Sequence, residues 1–182
     1  MERFWDLGVW SAVIGESYLG QTRKIAVGAI ICAAILPVSA DAGTSQPLRF
    51  FEGRTEMQAV VKVIMKKPYR SRTLGQGRIL GDGSLALLQQ VYDEGQAPEQ
   101  RRWKVKQVGP GRYSGTMTEA VGPVAVDEVD GSYRFKFRMK GDLLVEQWLT
   151  PAPDGNSAQS KLTVRKFGMK VASSTGFVRR VG

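Results

Sequence analysis

Tyr133-Arg134-Phe135-Lys136-Phe137-Arg138-Met139-Lys140 alternates without a fault between apolar and basic side chains. Successive side chains of an extended strand point to opposite faces, so this octet makes one apolar face and one basic face. A helix would scatter both sets around its axis, so the reading is a half-buried β-strand. Working outward, Trp103 and Val105 face away from Arg102, Lys104 and Lys106, and Leu162 and Val164 away from Thr163 and Arg165. Ala59, Val61, Val63 and Met65 alternate less cleanly with Val60, Lys62, Ile64 and Lys66. Tyr69–Leu80, Leu85–Tyr92, Arg112–Thr118, Leu143–Thr150 and Val171–Arg180 also have strand length and composition.

Between these segments turn signals recur at short, even intervals. They are Gly81-Asp82-Gly83, Glu94-Gly95, Pro110-Gly111, Val121-Gly122-Pro123, Asp130-Gly131, Gly141-Asp142, Asp154-Gly155-Asn156 and Gly168. Glycine supplies the positive φ that tight hairpins need, and Asp or Asn tolerates the neighbouring position. Helical periodicity is missing beyond the N-terminal region, apart from one short helix expected in a connection. Strands at this spacing predict an all-β meander that closes into a sandwich or an antiparallel up-and-down barrel of eight to ten strands. A barrel of about eight strands is either filled by its own side chains or holds one small ligand. Residues 151–160, with two prolines, Gly155 and Asn156, read as the most obvious flexible loop.

The first 42 residues read as an address. Arg23-Lys24 precedes the apolar run Ile25–Leu36, which is followed by Pro37 and by Ala40-Asp41-Ala42. A basic flank, a short apolar core, a helix breaker and an Ala-x-Ala end are the layout of a secretory signal peptide. The run is shorter than the roughly 20 residues that span a bilayer comfortably. Cleavage is expected after Ala42, leaving one domain over residues 43–182 in the periplasm or the envelope. The long stretch before Arg23 keeps two alternatives open: a translation start further along the chain, and an uncleaved N-terminal anchor. Cys32 follows Ile30-Ile31, where lipid attachment requires a small residue, which disfavours a lipoprotein.

The chain has 182 residues, with 42% apolar and 24% charged, enough for one core and too few for two. It contains no histidine, which removes imidazole triads, the commonest general base and the commonest zinc ligand. Its one cysteine is Cys32, so the domain beyond residue 42 has neither thiolate nor disulfide. No cofactor motif and no metal set is expected. Gly75-Gln76-Gly77 and Gly109-Pro110-Gly111 lack the following Lys-Ser/Thr of a phosphate loop and read as bends or turns. The net charge is +9, with −1 in residues 1–42 and +10 in the remainder. That excess favours anionic partners without choosing among them. The stripe Arg134, Lys136, Arg138 and Lys140 is the candidate contact with an anionic membrane surface. Nucleic acid is disfavoured by export, and a solvated face is the plain alternative.

Several short motifs then fall into a recognisable order: Phe50-Phe51-Glu52-Gly53, Tyr92-Asp93-Glu94-Gly95, Arg101-Arg102-Trp103, Gly111–Thr116, Glu119–Gly122, Glu146–Leu149, Lys166-Phe167-Gly168 and Phe177–Arg180. In this order and spacing the chain resembles an uncharacterised bacterial family of envelope proteins, a domain of unknown function numbered three-eight-three-three. The resemblance implies a lipocalin-like (calycin-type) barrel in the cell envelope and no assigned reaction. The chain departs from the family pattern at Gln147, Glu119, Ser160 and Val164.

The candidate ligand-binding residues are Tyr92, Arg102, Trp103, Tyr113, Glu119, Tyr133, Phe135, Glu146 and Trp148. Tyr113, Tyr133, Phe135 and Trp148 would supply apolar wall, and Arg102 with Glu119 would set polarity at one end. Guanidinium matches a carboxylate or phosphate headgroup bidentately. The expectation is a non-enzymatic, exported protein that binds a small apolar or amphipathic, lipid-like ligand. The alternatives are an envelope assembly protein with a filled barrel acting through its surface, and a histidine-independent enzyme using Glu119 and Glu146 or a tyrosine.

Overall fold

The computed structural model of the chain describes residues 46–182, with side chains from Leu48 onward. The expected signal segment and its expected cleavage point therefore lie outside the described residues. A short helix, α1 (Gln46–Phe50), leads into ten strands: β1 (Gly53–Val63), β2 (Tyr69–Ile79), β3 (Leu85–Asp93), β4 (Glu99–Gly109), β5 (Arg112–Met117), β6 (Val124–Val129), β7 (Ser132–Met139), β8 (Leu143–Pro151), β9 (Ser157–Lys166) and β10 (Met169–Arg180). Each strand pairs antiparallel with its sequence neighbours, and β1 pairs with β10, so the meander closes as an up-and-down barrel. The all-β barrel expected from the alternation is what the chain forms, at the upper end of the expected strand number. Closure leaves no edge strand exposed.

The turn residues sit where they were read. Gly83, Gly95, Gly111, Gly122, Gly131, Gly141, Gly155 and Gly168 all have positive φ in the connections. In the β8–β9 turn the Asp154 carboxylate accepts from the backbone N–H groups of Asn156 and Ser157 at 2.9 and 3.0 Å. That turn is shorter than the loop read at residues 151–160, because β9 already begins at Ser157. β6 was not among the strands singled out, and Gly75-Gln76-Gly77 lies inside β2 instead of forming a bend. The reason is packing. A Cβ on Gly77 would overlap the backbone carbonyl of Phe51 at the end of α1, so glycine lets the helix press against the wall.

Helix α1 thereby plugs one end. Leu48 joins Leu85, Leu87, Val105, Tyr113 and Val126 in the core, with Phe51 packed alongside. This end, which carries the β2–β3, β4–β5, β6–β7 and β8–β9 turns, is the floor. The other five connections form the rim. Register and alternation together fix which side chains enter the lumen. Tyr133, Phe135, Phe137 and Met139 point in, and Arg134, Lys136 and Arg138 point out, as the opening octet predicts.

Candidate functional site, the lumen of the barrel

The lumen is packed at the floor and along β5 and β6, where Val124, Val126, Met117 and Tyr113 are buried. It is different elsewhere. Met57, Gln89, Trp103, Phe135, Gln147, Leu162 and Ser174 point inward but remain only half-buried. Inward side chains that keep partial exposure mark the less tightly packed part of the lumen, a cup above the plugged floor.

One side of the cup is aromatic and aliphatic. Trp103 on β4 reaches across to β7, with its ring edge-on to Phe135 at 6.4 Å and to Phe137 at 5.8 Å. Leu162 and Val164 on β9 pack against the same cluster. The polar groups are few and each is held. The Trp103 indole N–H donates to Gln89 Oε1 at 2.8 Å, and Gln147 Nε2 donates to Ser160 Oγ at 2.9 Å. Towards the rim, Arg101 Nε lies 3.0 Å from Glu119 Oε1 and 2.9 Å from Oε2, with Oε1 taking the hydrogen bond. Glu119 Oε2 and Asp93 Oδ1 are both shielded from solvent and without a hydrogen-bond partner among the described residues. Burial, reinforced by the Asp93 charge, pushes the Tyr69 phenol up, and burial with the Glu128 charge does the same to Tyr133.

Of the nine residues singled out in the sequence, Trp103, Tyr113, Tyr133 and Phe135 reach the lumen, and Glu119 faces it from the β5–β6 connection. Tyr113 is buried in the floor and offers no surface to a ligand. Tyr92, Arg102, Glu146 and Trp148 lie on the outer wall. Trp148 is bound there, with its indole N–H donating to Glu146 Oε1 at 3.0 Å and the Arg134 guanidinium 5.6 Å from its ring centre. The lumenal arginine is Arg101, one residue before the one chosen. Gln89, Gln147, Met57 and Leu162 were not singled out. The signal that reaches Arg101 is its spacing of two from Trp103 along one strand. Among the described residues no three acidic side chains converge as a metal site. Glu119 pairs with Arg101, and Glu146 points out through the wall, so they form no carboxylate pair.

The basic stripe on the outside of β7 is already partly matched. Arg134 Nη2 lies 3.2 Å from Asp127, and Lys136 Nζ lies 3.8 Å from Glu146. A second outer cluster joins the barrel's ends in sequence. The Glu56 carboxylate on β1 takes Arg179 of β10 and Arg72 of β2, each at 2.8 Å. The Arg179 hydrogen bond, then that of Arg72, lowers the Glu56 pKa to about 2.

No protein-family model matches the chain, and no curated protein matches it either. Solved structures do. The barrel is similar to the S-type phycobiliprotein lyase CPES from Guillardia theta, with a TM-score of 0.61 at 7% identity over 75% of this chain and 92% of that one. It is similar to Rv2717c from M. tuberculosis, with a TM-score of 0.59 at 12% identity over 78% of this chain and 99% of that one. It is also similar to a protein of unknown function of the DUF3598 family from Nostoc punctiforme, with a TM-score of 0.54 at 14% identity. That match covers 74% of this chain and spans about half, 49%, of the Nostoc protein. At these identities the likeness is one of fold, a lipocalin-like barrel.

Proposed function

We propose that the protein is an exported, non-enzymatic binder that holds one small apolar or amphipathic, lipid-like molecule in the cup of its barrel. The observation that carries this reading is the contrast within the lumen. The floor is packed and plugged by α1, whereas Trp103, Phe135, Met57 and Leu162 point inward yet stay only partly buried. Apolar walls with a few fixed polar groups suit a small-molecule pocket. Arg101, placed at the rim and tied to Glu119, suits the polar end of an amphiphile, because a ligand carboxylate or phosphate can compete for the guanidinium. Placement in the envelope rests on the signal layout at residues 23–42 and on the family resemblance. The likeness to a phycobiliprotein lyase supports a ligand-holding barrel without naming the ligand.

The two lumen-to-wall tryptophans supply the test. In a Trp5→Phe/Trp10→Phe background, Trp148→Phe leaves only Trp103 inside and Trp103→Phe leaves only Trp148 outside. A fatty acid brominated at mid-chain should quench Trp103 saturably and leave Trp148 unchanged. Native mass spectrometry of protein purified from its host's envelope fraction should show one co-purifying lipid. Quenching of Trp148 alone, or of neither with a clean apo mass, sinks the cup reading and favours a filled barrel acting through its surface.

A further inference from the structure

We infer that the rim of the barrel is a docking surface for an anionic lipid bilayer, with the β1–β2 and β9–β10 hairpin tips as its inserting elements. The two tips are neighbours, because β1 pairs with β10 and the Ile64 N–H donates to the Val171 carbonyl at 2.9 Å. Their apolar side chains face water. Met65 is 99% exposed, Phe167 75%, Met169 67% and Ile64 62%. A single exposed apolar residue is ordinary, but four large ones on two adjoining tips form a patch, and such patches mark contact surfaces.

The backbone sharpens the point. Met65 has φ +61° and Phe167 φ +50°, in the left-handed region that glycine, asparagine or aspartate normally fills. The β1–β2 connection, Ile64-Met65-Lys66-Lys67-Pro68, has no glycine at all. Both tips thus carry a bulky apolar side chain at the residue where the turn itself prefers a small or polar one. The Phe167 ring has the Lys166 ammonium 5.6 Å from its centre, and even so it stays 75% exposed.

Charge names the partner. Lys62, Lys66, Lys67 and Lys170 flank the patch, are exposed, and make no ion pair among the described residues. The sequence contains no Asp or Glu between residues 57 and 81, and none after Asp154. Asp93, Glu94 and Glu99 make the next tip, β3–β4, acidic, so the contact is confined to the side of the rim that carries β1–β2 and β9–β10. Apolar tips among lysines there fit an anionic bilayer, with side chains entering the headgroup boundary while the lysines stay at the phosphates. The outer stripe on β7 is a poorer fit, since Arg134 and Lys136 already face carboxylates. Docked by the rim, the molecule sets its cup open towards the membrane, which would let a lipid pass between bilayer and lumen. That last step rests on the cup reading, and the docking does not.

The test must read the tips and ignore whatever the N-terminal segment does. In a full-length Cys32→Ser protein, Met169→Cys carries an environment-sensitive nitrobenzoxadiazole label at the rim, and Pro153→Cys carries it at the floor end. Vesicles of phosphatidylcholine with about three parts in ten phosphatidylglycerol should raise the rim label's emission several-fold, and about 0.5 M salt should largely reverse the rise. The floor label should not respond. Adding Met65→Asp/Phe167→Asp should abolish the rim response while the far-ultraviolet circular dichroism stays unchanged. A silent rim label overturns the inference, as does an equal response at both labels. A rise that depends on protein concentration without vesicles also overturns it, in favour of self-association. Because Trp103 quenching reads the cup independently, a bound rim with an unquenched Trp103 keeps the docking and discards the lumenal ligand.

Discussion

Arg101 and Glu119 form an ion pair on the lumenal side of the wall, Nε to Oε2 at 2.9 Å, while Arg102, the next residue along β4, points to solvent. Both partners are partly exposed, so the pair contributes little to stability, about 0.5–1 kcal/mol in a double-mutant cycle. On the proposed reading it is a reserve of positive charge at the mouth of the cup. Glu119→Gln should leave the guanidinium held by Glu99 alone, 3.4 Å from Nη2, and raise affinity for a fatty acid by about tenfold, while leaving the corresponding alcohol unaffected. Arg101→Gln should erase the preference for the acid. The measurement is competitive displacement of a fluorescent fatty acid, and equal affinities for acid and alcohol in the parent protein would remove Arg101 from the site.

Trp148 was the sequence's choice for apolar wall, and its position outside reverses what its loss should do. Trp148→Ala removes a hydrogen bond to Glu146 and a cation–π contact with Arg134, and should cost about 1–2 kcal/mol of stability. Ligand uptake per folded molecule should not change. Trp103→Phe, which keeps most of the packing against Phe135 and Phe137, should weaken uptake several-fold by thinning the cup wall and freeing Gln89. Isothermal titration with protein whose folded fraction is known separates the two effects.

This pair of tryptophans also shows what the sequence could and could not reveal. Tyr133–Lys140 displays its faces openly because every inward residue is apolar and every outward one basic. On β8 the inward set is Leu143, Val145, Gln147 and Leu149, so a glutamine lies inside and the tryptophan beside it outside. Polarity inverts at that point, and alternation cannot reveal a strand's parity from residues that break it. Arg101 and Arg102 pose the same problem, and only the shared parity with Trp103 resolves it. The turns were legible wherever glycine supplies positive φ. The β1–β2 tip was not, because Met65 adopts that conformation without the usual residue. β6 escaped notice since Asp127 and Glu128 interrupt its short apolar run. The plug needed the three-dimensional contact between the Phe51 carbonyl and Gly77.

That contact predicts a large effect from a small change. Gly77→Ala places a methyl group where the Phe51 carbonyl sits, so α1 must lift from the floor. Overpacking of this kind should destabilise by about 1–3 kcal/mol. Gly81→Ala, in the β2–β3 turn with open space around it, should stay within about 0.5 kcal/mol of the parent. Urea midpoints compare the two directly. A Gly77→Ala midpoint equal to that of Gly81→Ala would mean that the plug is not seated as described.

The clasp at Glu56 makes acid the natural test of barrel closure. Its carboxylate, 9% exposed, holds Arg179 of the last strand and Arg72 of the second, and the two guanidinium groups bring its pKa down to about 2. A carboxylate whose folded pKa lies below its unfolded value binds fewer protons in the folded state. Its contribution is therefore complete above the ordinary value of 4.5 and disappears as pH falls towards 2. Between those limits the parent protein should lose urea resistance steeply. Glu56→Gln should start less stable at pH 7, because both arginines lose their counter-charge, yet decline less over the same interval. Strand β1 pairs with β10 only through this seam, so hydrogen exchange at Met57 and Val178, which face each other across it, should accelerate first on acidification. Parallel acid profiles for parent and Glu56→Gln would show that the seam is held by its backbone ladder alone.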